Sequence, residues 1–152
     1  MPKKRLILLL FGVVPVLAAV PALATSGSGA SGTILARGMA VDKVVTRGHQ
    51  PYDAVTQLIT IAPGGNTGWH THPGQAVAIV KSGTLTIYDG DDTSCEGRDY
   101  TAGQVYLDPG YGFVHIGRNE GDTPLEIYVT YLDVPLGGGV RIDADDPGNC
   151  TA

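Results

Sequence analysis

Three histidines in two short segments carry the clearest chemical signal in this chain. His70 and His72 stand two residues apart in Pro63–Gly83, PGGNTGWHTHPGQAVAIVKSG. In a strand, residues i and i+2 point to the same face and lie about 6–7 Å apart, so both imidazoles enter one space. The Gly-rich turn Gly64 to Gly68 leads into them. His115 sits in a second segment, Gly103–Asn119, GQVYLDPGYGFVHIGRN, behind a Pro-Gly-Tyr-Gly turn. It is a third candidate ligand, to be brought in by tertiary structure. Three imidazoles hold zinc with a fourth position open, and imidazole also suits iron, copper and nickel. The expected cofactor is a divalent transition metal (Fe, Zn, Ni, Cu or Mn). The fourth histidine, His49, lies in Arg-Gly-His-Gln-Pro and reads as a loop residue. No nucleophile–base pair stands out: Ser82 and Ser94 are turn residues without a His partner in sequence.

These histidines need a β framework. After Leu23 no long helical period exists. Short runs rich in β-branched and aromatic residues alternate with Gly, Pro, Asn and Asp, the pattern of a sandwich or barrel. Strands are expected at Val55–Ala62, Ala76–Lys81, Thr84–Tyr88, Gln104–Leu107, Val114–Gly117 and Leu125–Leu132, with one or two more in Thr33–Thr46. Ser82-Gly83 reads as a tight hairpin joining two of them. Trp69 should face away from His70.

The 152 residues suit one domain. The N-terminus has a basic stub, Lys3-Lys4-Arg5, an apolar run from Leu6 to Leu23, and Ala22-Leu23-Ala24 at the junction. That is a secretory signal peptide over 1–24; the alternative is an uncleaved membrane anchor. Residues 25–32, TSGSGASG, read as a flexible Gly/Ser linker, and 33–152 as the barrel domain with an acidic tail. Losing Lys3, Lys4 and Arg5 takes the formal charge from −5 to −8. An acidic protein is a poor partner for nucleic acid or anionic membrane. Cys95 and Cys150 read as a disulfide, the default for an exported chain, pinning the tail to the barrel. A secreted, bacterial protein is expected.

The two histidine segments resemble the two motifs of the cupin superfamily. Gly64, His70, His72 and Gly83 match the first. Gly103, Pro109, Gly112, His115 and Asn119 match the second, with one extra residue between Pro109 and Gly112. The resemblance implies a single-domain all-β jelly-roll barrel, His70, His72 and His115 as metal ligands, Asn119 as a structural residue, and a homodimer. It also exposes a departure. The family usually has Glu three or four residues after His72, where this chain has Ala76 and Val77, with Gln75 beside them. Three neutral imidazoles leave the full charge on a divalent ion, which favours anionic ligands and makes a stronger Lewis acid.

Gln75 is a candidate weak oxygen ligand, and Asp108 a candidate supporting contact to a ligand histidine. Tyr106 and Tyr111 are candidates for the ligand pocket. Lys81 and Arg118 are expected to face away from the barrel interior. Some cupin dioxygenases hold iron on three histidines. The functional expectation is therefore a metal-dependent oxygenase or isomerase/lyase acting on a small anionic or chelating molecule. The alternatives are a non-enzymatic extracellular module that captures a small ligand or metal, and a structural protein using only the barrel surface.

Overall fold

The structure is a computed structural model and describes residues 24–40 and 51–150. The expected signal peptide (but for Ala24) and His49 lie outside the described residues. Among the described residues there is no helix. Ten strands occur: β1 Ser28–Ala40, β2 Tyr52–Asn66, β3 His70–Thr71, β4 Ala76–Ser82, β5 Thr84–Asp89, β6 Arg98–Thr101, β7 Val105–Asp108, β8 His115–Arg118, β9 Leu125–Val134 and β10 Ile142–Asp143. All pairings are antiparallel.

The strands form two layers. One runs β1-β2-β9-β4-β7 and the other β6-β5-β8-β3-β10. The far end of β2 joins them, where Asn66 pairs with Arg118 of β8. The result is an all-β, nearly closed barrel, the fold expected from the sequence. Period-2 alternation sets its core. Val55 and Ile61 of β2, Ala76, Ala78 and Val80 of β4, and Leu125, Ile127, Val129 and Tyr131 of β9 are buried, while Ile79, Lys81 and Tyr128 face out. Leu85 and Ile87 of β5 close the same cluster from the other layer.

Three local expectations change. Residues 25–32 are not all tether: Ser28 to Gly32 belong to β1 and pair with β2. Every β1 residue up to Met39 is exposed, so backbone hydrogen bonds rather than side-chain burial hold this strand, and small Gly and Ser residues serve as well as any. Ser82-Gly83 is not a hairpin. β4 pairs with β7 and β9, β5 with β6 and β8, so the two residues carry the chain from one layer to the other. Gly83 has φ +81°, and a Cβ there would stand 3.0 Å from the Leu125 Cα. β6 is an unforeseen strand. It is polar and mostly exposed, and cross-strand pairs such as Thr86–Asp99, hydrogen-bonded at 2.7 Å, hold it on β5.

Cys95 and Cys150 form a disulfide. Cys150 packs with Trp69 and Ile116 in a small second cluster behind the histidine layer, so the tail is fastened under β3 and β8. Trp69 is fully buried there and faces away from the barrel interior, as its parity requires.

Candidate metal centre

His70 and His115 are direct cross-strand partners of β3 and β8, which places their side chains on one face. His72 follows the end of β3. The three rings lie 4.4–5.4 Å apart, centroid to centroid. All three residues are buried, and a ligand atom from each lies within 4.8 Å of the others.

Backbone carbonyls orient two of the rings. His70 Nδ1 donates to Gly68 O at 2.8 Å, and His72 Nδ1 donates to Val140 O at 2.6 Å. A carbonyl only accepts, so each Nδ1 carries the proton and each Nε2 presents a bare lone pair. Such contacts fix the tautomer that binds a metal.

Burial disfavours charge on all three rings. Desolvation first, then the neighbouring His115 and His72, holds His70 well below its ordinary value. Desolvation brings His72 down to about 4. His115 falls to about 3, again mainly by desolvation. The rings are therefore neutral near pH 7.

Asp108, at the end of β7, enters from the opposite layer. Its Oδ1 accepts the Gly110 N–H at 2.8 Å. Its Oδ2 stands 3.3 Å from His72 Nε2 and 3.6 Å from His115 Nε2, buried and without a hydrogen-bond partner. Desolvation pushes this carboxyl up to about 6, against the Gly110 hydrogen bond. With the rings neutral, the contact with His72 is no salt bridge at neutral pH. A carboxylate oxygen and an imidazole lone pair face each other, which invites a cation.

The turn after Asp108 is shaped by glycine. Gly110, Tyr111 and Gly112 all have positive φ, and this run absorbs the extra residue of the second motif. A Cβ on Gly110 would lie 1.9 Å from Gly74 O. The turn thus presses on the segment after His72, and the Tyr111 N–H donates to His72 O at 3.0 Å.

Around the histidines lies a chamber of about 40 Å³ lined mainly by apolar groups, among them Ile59, Ala76, Ala78, Leu85, Val129 and Tyr131. Ile59, Thr67, His70 and Tyr131 also border an outer groove of about 390 Å³ walled by Gly27, Ala30–Gly32, Val140 and Arg141.

The expected site residues fare differently. Tyr106 lines the chamber, and its hydroxyl is buried without a partner. Tyr111 does not line it: its hydroxyl donates to Asp133, because the left-handed turn swings the ring outward. Gln75 is exposed and outside the chamber. Ala76 and Ala78 take the inward parity on β4, so Gln75 must point out. Asn119 is structural, its amide donating to Ile61 O and Thr123 O. Lys81 pairs with Glu126, and Arg118 approaches Glu120 and the Tyr88 ring, both away from the chamber.

Two contributors come from the segment after β9 and carry no signal in the residue pattern. Val140 supplies the carbonyl for His72, and Arg141 stands at the groove with its Nη2 buried and unpartnered. Neither lies in a motif. Only the β10–β3 pairing, Asp143 opposite His70, brings them here.

Residues 57–131 match the cupin domain family model. These residues form a cupin superfamily domain. No curated protein sequence matches it. Among solved structures, a cupin domain from Bordetella pertussis Tohama I is similar at 22% identity, over 70% of this chain and 95% of that one, with a TM-score of 0.49. An oxalate oxidase is similar at 24% identity, over 51% of this chain, with a TM-score of 0.45; this cupin spans 40% of that protein's length. A predicted oxalate decarboxylase from Thermotoga maritima is similar at 23% identity over 50% of this chain and 63% of that one, with a TM-score of 0.43.

Proposed function

We propose that this cupin is exported, holds one divalent transition-metal ion on His70, His72 and His115, and acts there on a small carboxylate. The observation that carries the reading is the meeting of three buried, neutral imidazoles within 4.8 Å, two with their free nitrogens set by backbone carbonyls. When bound, such an ion supplies an open position with Lewis acidity. The chain's own residues supply the rest. Apolar walls exclude water, which strengthens every charge interaction inside. Arg141 is paired through its Nε with Asp143 at 2.5 Å, and its Nη2 remains without a partner at the groove, suited to the carboxylate of an entering molecule. A chamber of about 40 Å³ admits only a few atoms of it.

Elemental analysis of the secreted protein is the test. One metal per chain is expected, with iron, zinc, nickel, copper and manganese all assayed, and none in His70→Ala, His72→Ala or His115→Ala. If all three variants retain metal like wild type, the site is wrong. Oxalate, named for similar structures, is a first probe for ligand binding. Export predicts a mature N-terminus at Thr25, read by sequencing the secreted protein. The Cys95–Cys150 disulfide supports that route.

One observation favours capture without turnover. Among the described chamber residues, the groups with a side-chain O–H to give are few, and desolvation makes the Tyr106 and Tyr131 hydroxyls weaker acids still. Substrate-dependent oxygen uptake or product formation by the loaded protein decides for an enzyme; tight binding with an unchanged ligand decides for a binding module. A homodimer belongs to the same proposal, with the exposed apolar residues Ile79, Val105, Leu107 and Tyr128 on adjoining strands as its face. Light scattering reads it directly.

A further inference from the structure

We infer that Asp108 is a fourth protein ligand of the metal centre, a carboxylate supplied across the barrel from the layer opposite the histidines. The inference rests on the three-histidine reading above and extends it.

Four observations converge. First, Asp108 Oδ2 is buried and has no hydrogen-bond partner, although Oδ1 of the same group is anchored by Gly110. A half-satisfied buried carboxylate is costly unless a cation meets the free oxygen. Second, that oxygen lies 3.3 and 3.6 Å from the Nε2 atoms of His72 and His115. Donors bound at about 2.1 Å around a tetrahedral ion stand about 3.4 Å apart, so the spacing is that of neighbouring ligands. Third, the His72 Nδ1 proton is committed to Val140 O, so its Nε2 has none to give Asp108. Fourth, Asp108 is the direct cross-strand partner of Ala76. Ala76 is buried, lines the chamber and ends at its Cβ, which leaves the Asp108 side chain the space between the layers. Among the described residues lining the chamber, Asp108 is the only carboxylate.

The consequence is a change in the charge of the site. Three imidazoles leave a divalent ion at +2; with Asp108 it is +1. The ion would also tie β7 in one layer to β3 and β8 in the other.

The test uses full-length mature protein loaded with Co²⁺, whose visible bands report the ligand set. Compared with wild type, Asp108→Asn should shift those bands, and Asp108→Ala should raise the Kd for Zn²⁺ by more than about 100-fold, the upper end for a group that merely supports a ligand. The double variant Asp108→Ala with Ala76→Glu returns a carboxylate from the opposite strand and should recover at least about ten-fold of that loss. Unchanged bands in Asp108→Asn, with His115→Ala still abolishing binding, overturn this inference and leave the three-histidine reading standing. Wild type that takes up no Co²⁺ or Zn²⁺ overturns both. If Asp108→Ala does not fold, the bands of Asp108→Asn and the Zn²⁺ affinity of the double variant decide.

Discussion

The two layers of this barrel do different work and are held together differently. The layer β1-β2-β9-β4-β7 has strands of seven to fifteen residues apart from the four-residue edge strand β7, and period-2 burial makes it most of the core. The layer β6-β5-β8-β3-β10 has strands of two to six residues. Between them its short strands leave much of the backbone outside the ladder. What steadies it is a disulfide, the Trp69 cluster, and hydrogen bonds from side chains to the backbone, such as Thr67 Oγ1 accepting from the Gly117 N–H. The histidines sit in this less regular layer because a precise set of ring orientations needs carbonyls freed from the ladder, as at Gly68 and Val140.

That contrast can be broken at several points. The largest effect expected is on metal. His115→Ala should take stoichiometry from one to none while the metal-free protein keeps its far-ultraviolet circular dichroism, because the long-strand layer carries the fold. Loss of that spectrum along with the metal would show the layers to be inseparable.

Next comes the fastening of the short-strand layer. Removing the disulfide with Cys95→Ser and Cys150→Ser should cost roughly 4 kcal/mol for a 55-residue loop, read by urea unfolding. In the other layer Leu125→Ala should cost about 2–5 kcal/mol, since Leu125 is fully buried, and leave metal stoichiometry at one per chain. A Leu125→Ala protein that folds but binds no metal contradicts the division of labour.

Acidification should act on the metal-free protein through the buried rings. Their pKa values lie below that of an unfolded histidine, to about 4 for His72 and about 3 for His115. Between pH 6.5 and 4 the unfolded chain binds more protons, so stability falls as pH falls through that window. Asp108, raised to about 6, acts in the opposite direction between about pH 6 and 3.8, but it is one group against three. Thermal unfolding should show Tm dropping from pH 7 to pH 4.5, and bound metal should delay the drop by excluding protons from the rings. The smallest effect is expected at β1: Leu35→Ser, on an exposed residue, should change stability by less than about 0.5 kcal/mol.

Much of this was legible in the residues. The alternation in Leu125–Leu132 gave β9 and its buried face, and the His-x-His spacing with His115 gave the cluster of three buried imidazoles. Other features were not. β6 is polar and forms because β5 offers it partners. Ser82-Gly83 has the composition of a hairpin, yet neither flanking strand pairs with the other, since each finds a better-matched face in its own layer. Tyr111 stands beside a motif, but a run of three left-handed residues turns it out. Gln75 neighbours the position expected for a carboxylate and points the wrong way by parity.

The amino-acid order alone determined the class of fold, the three imidazoles and the absence of an acid after His72, because alternation, turn residues and ligand types are local properties. Asp108 was already a candidate contact from its place before the turn. That its oxygen, and not that of Gln75, stands near both His72 and His115, and that Arg141 borders the groove, was decided only by the tertiary structure. Asp108 is 36 residues from His72 and Arg141 is 69, and contacts at such separations follow from strand pairing across and around the barrel, which no local pattern encodes.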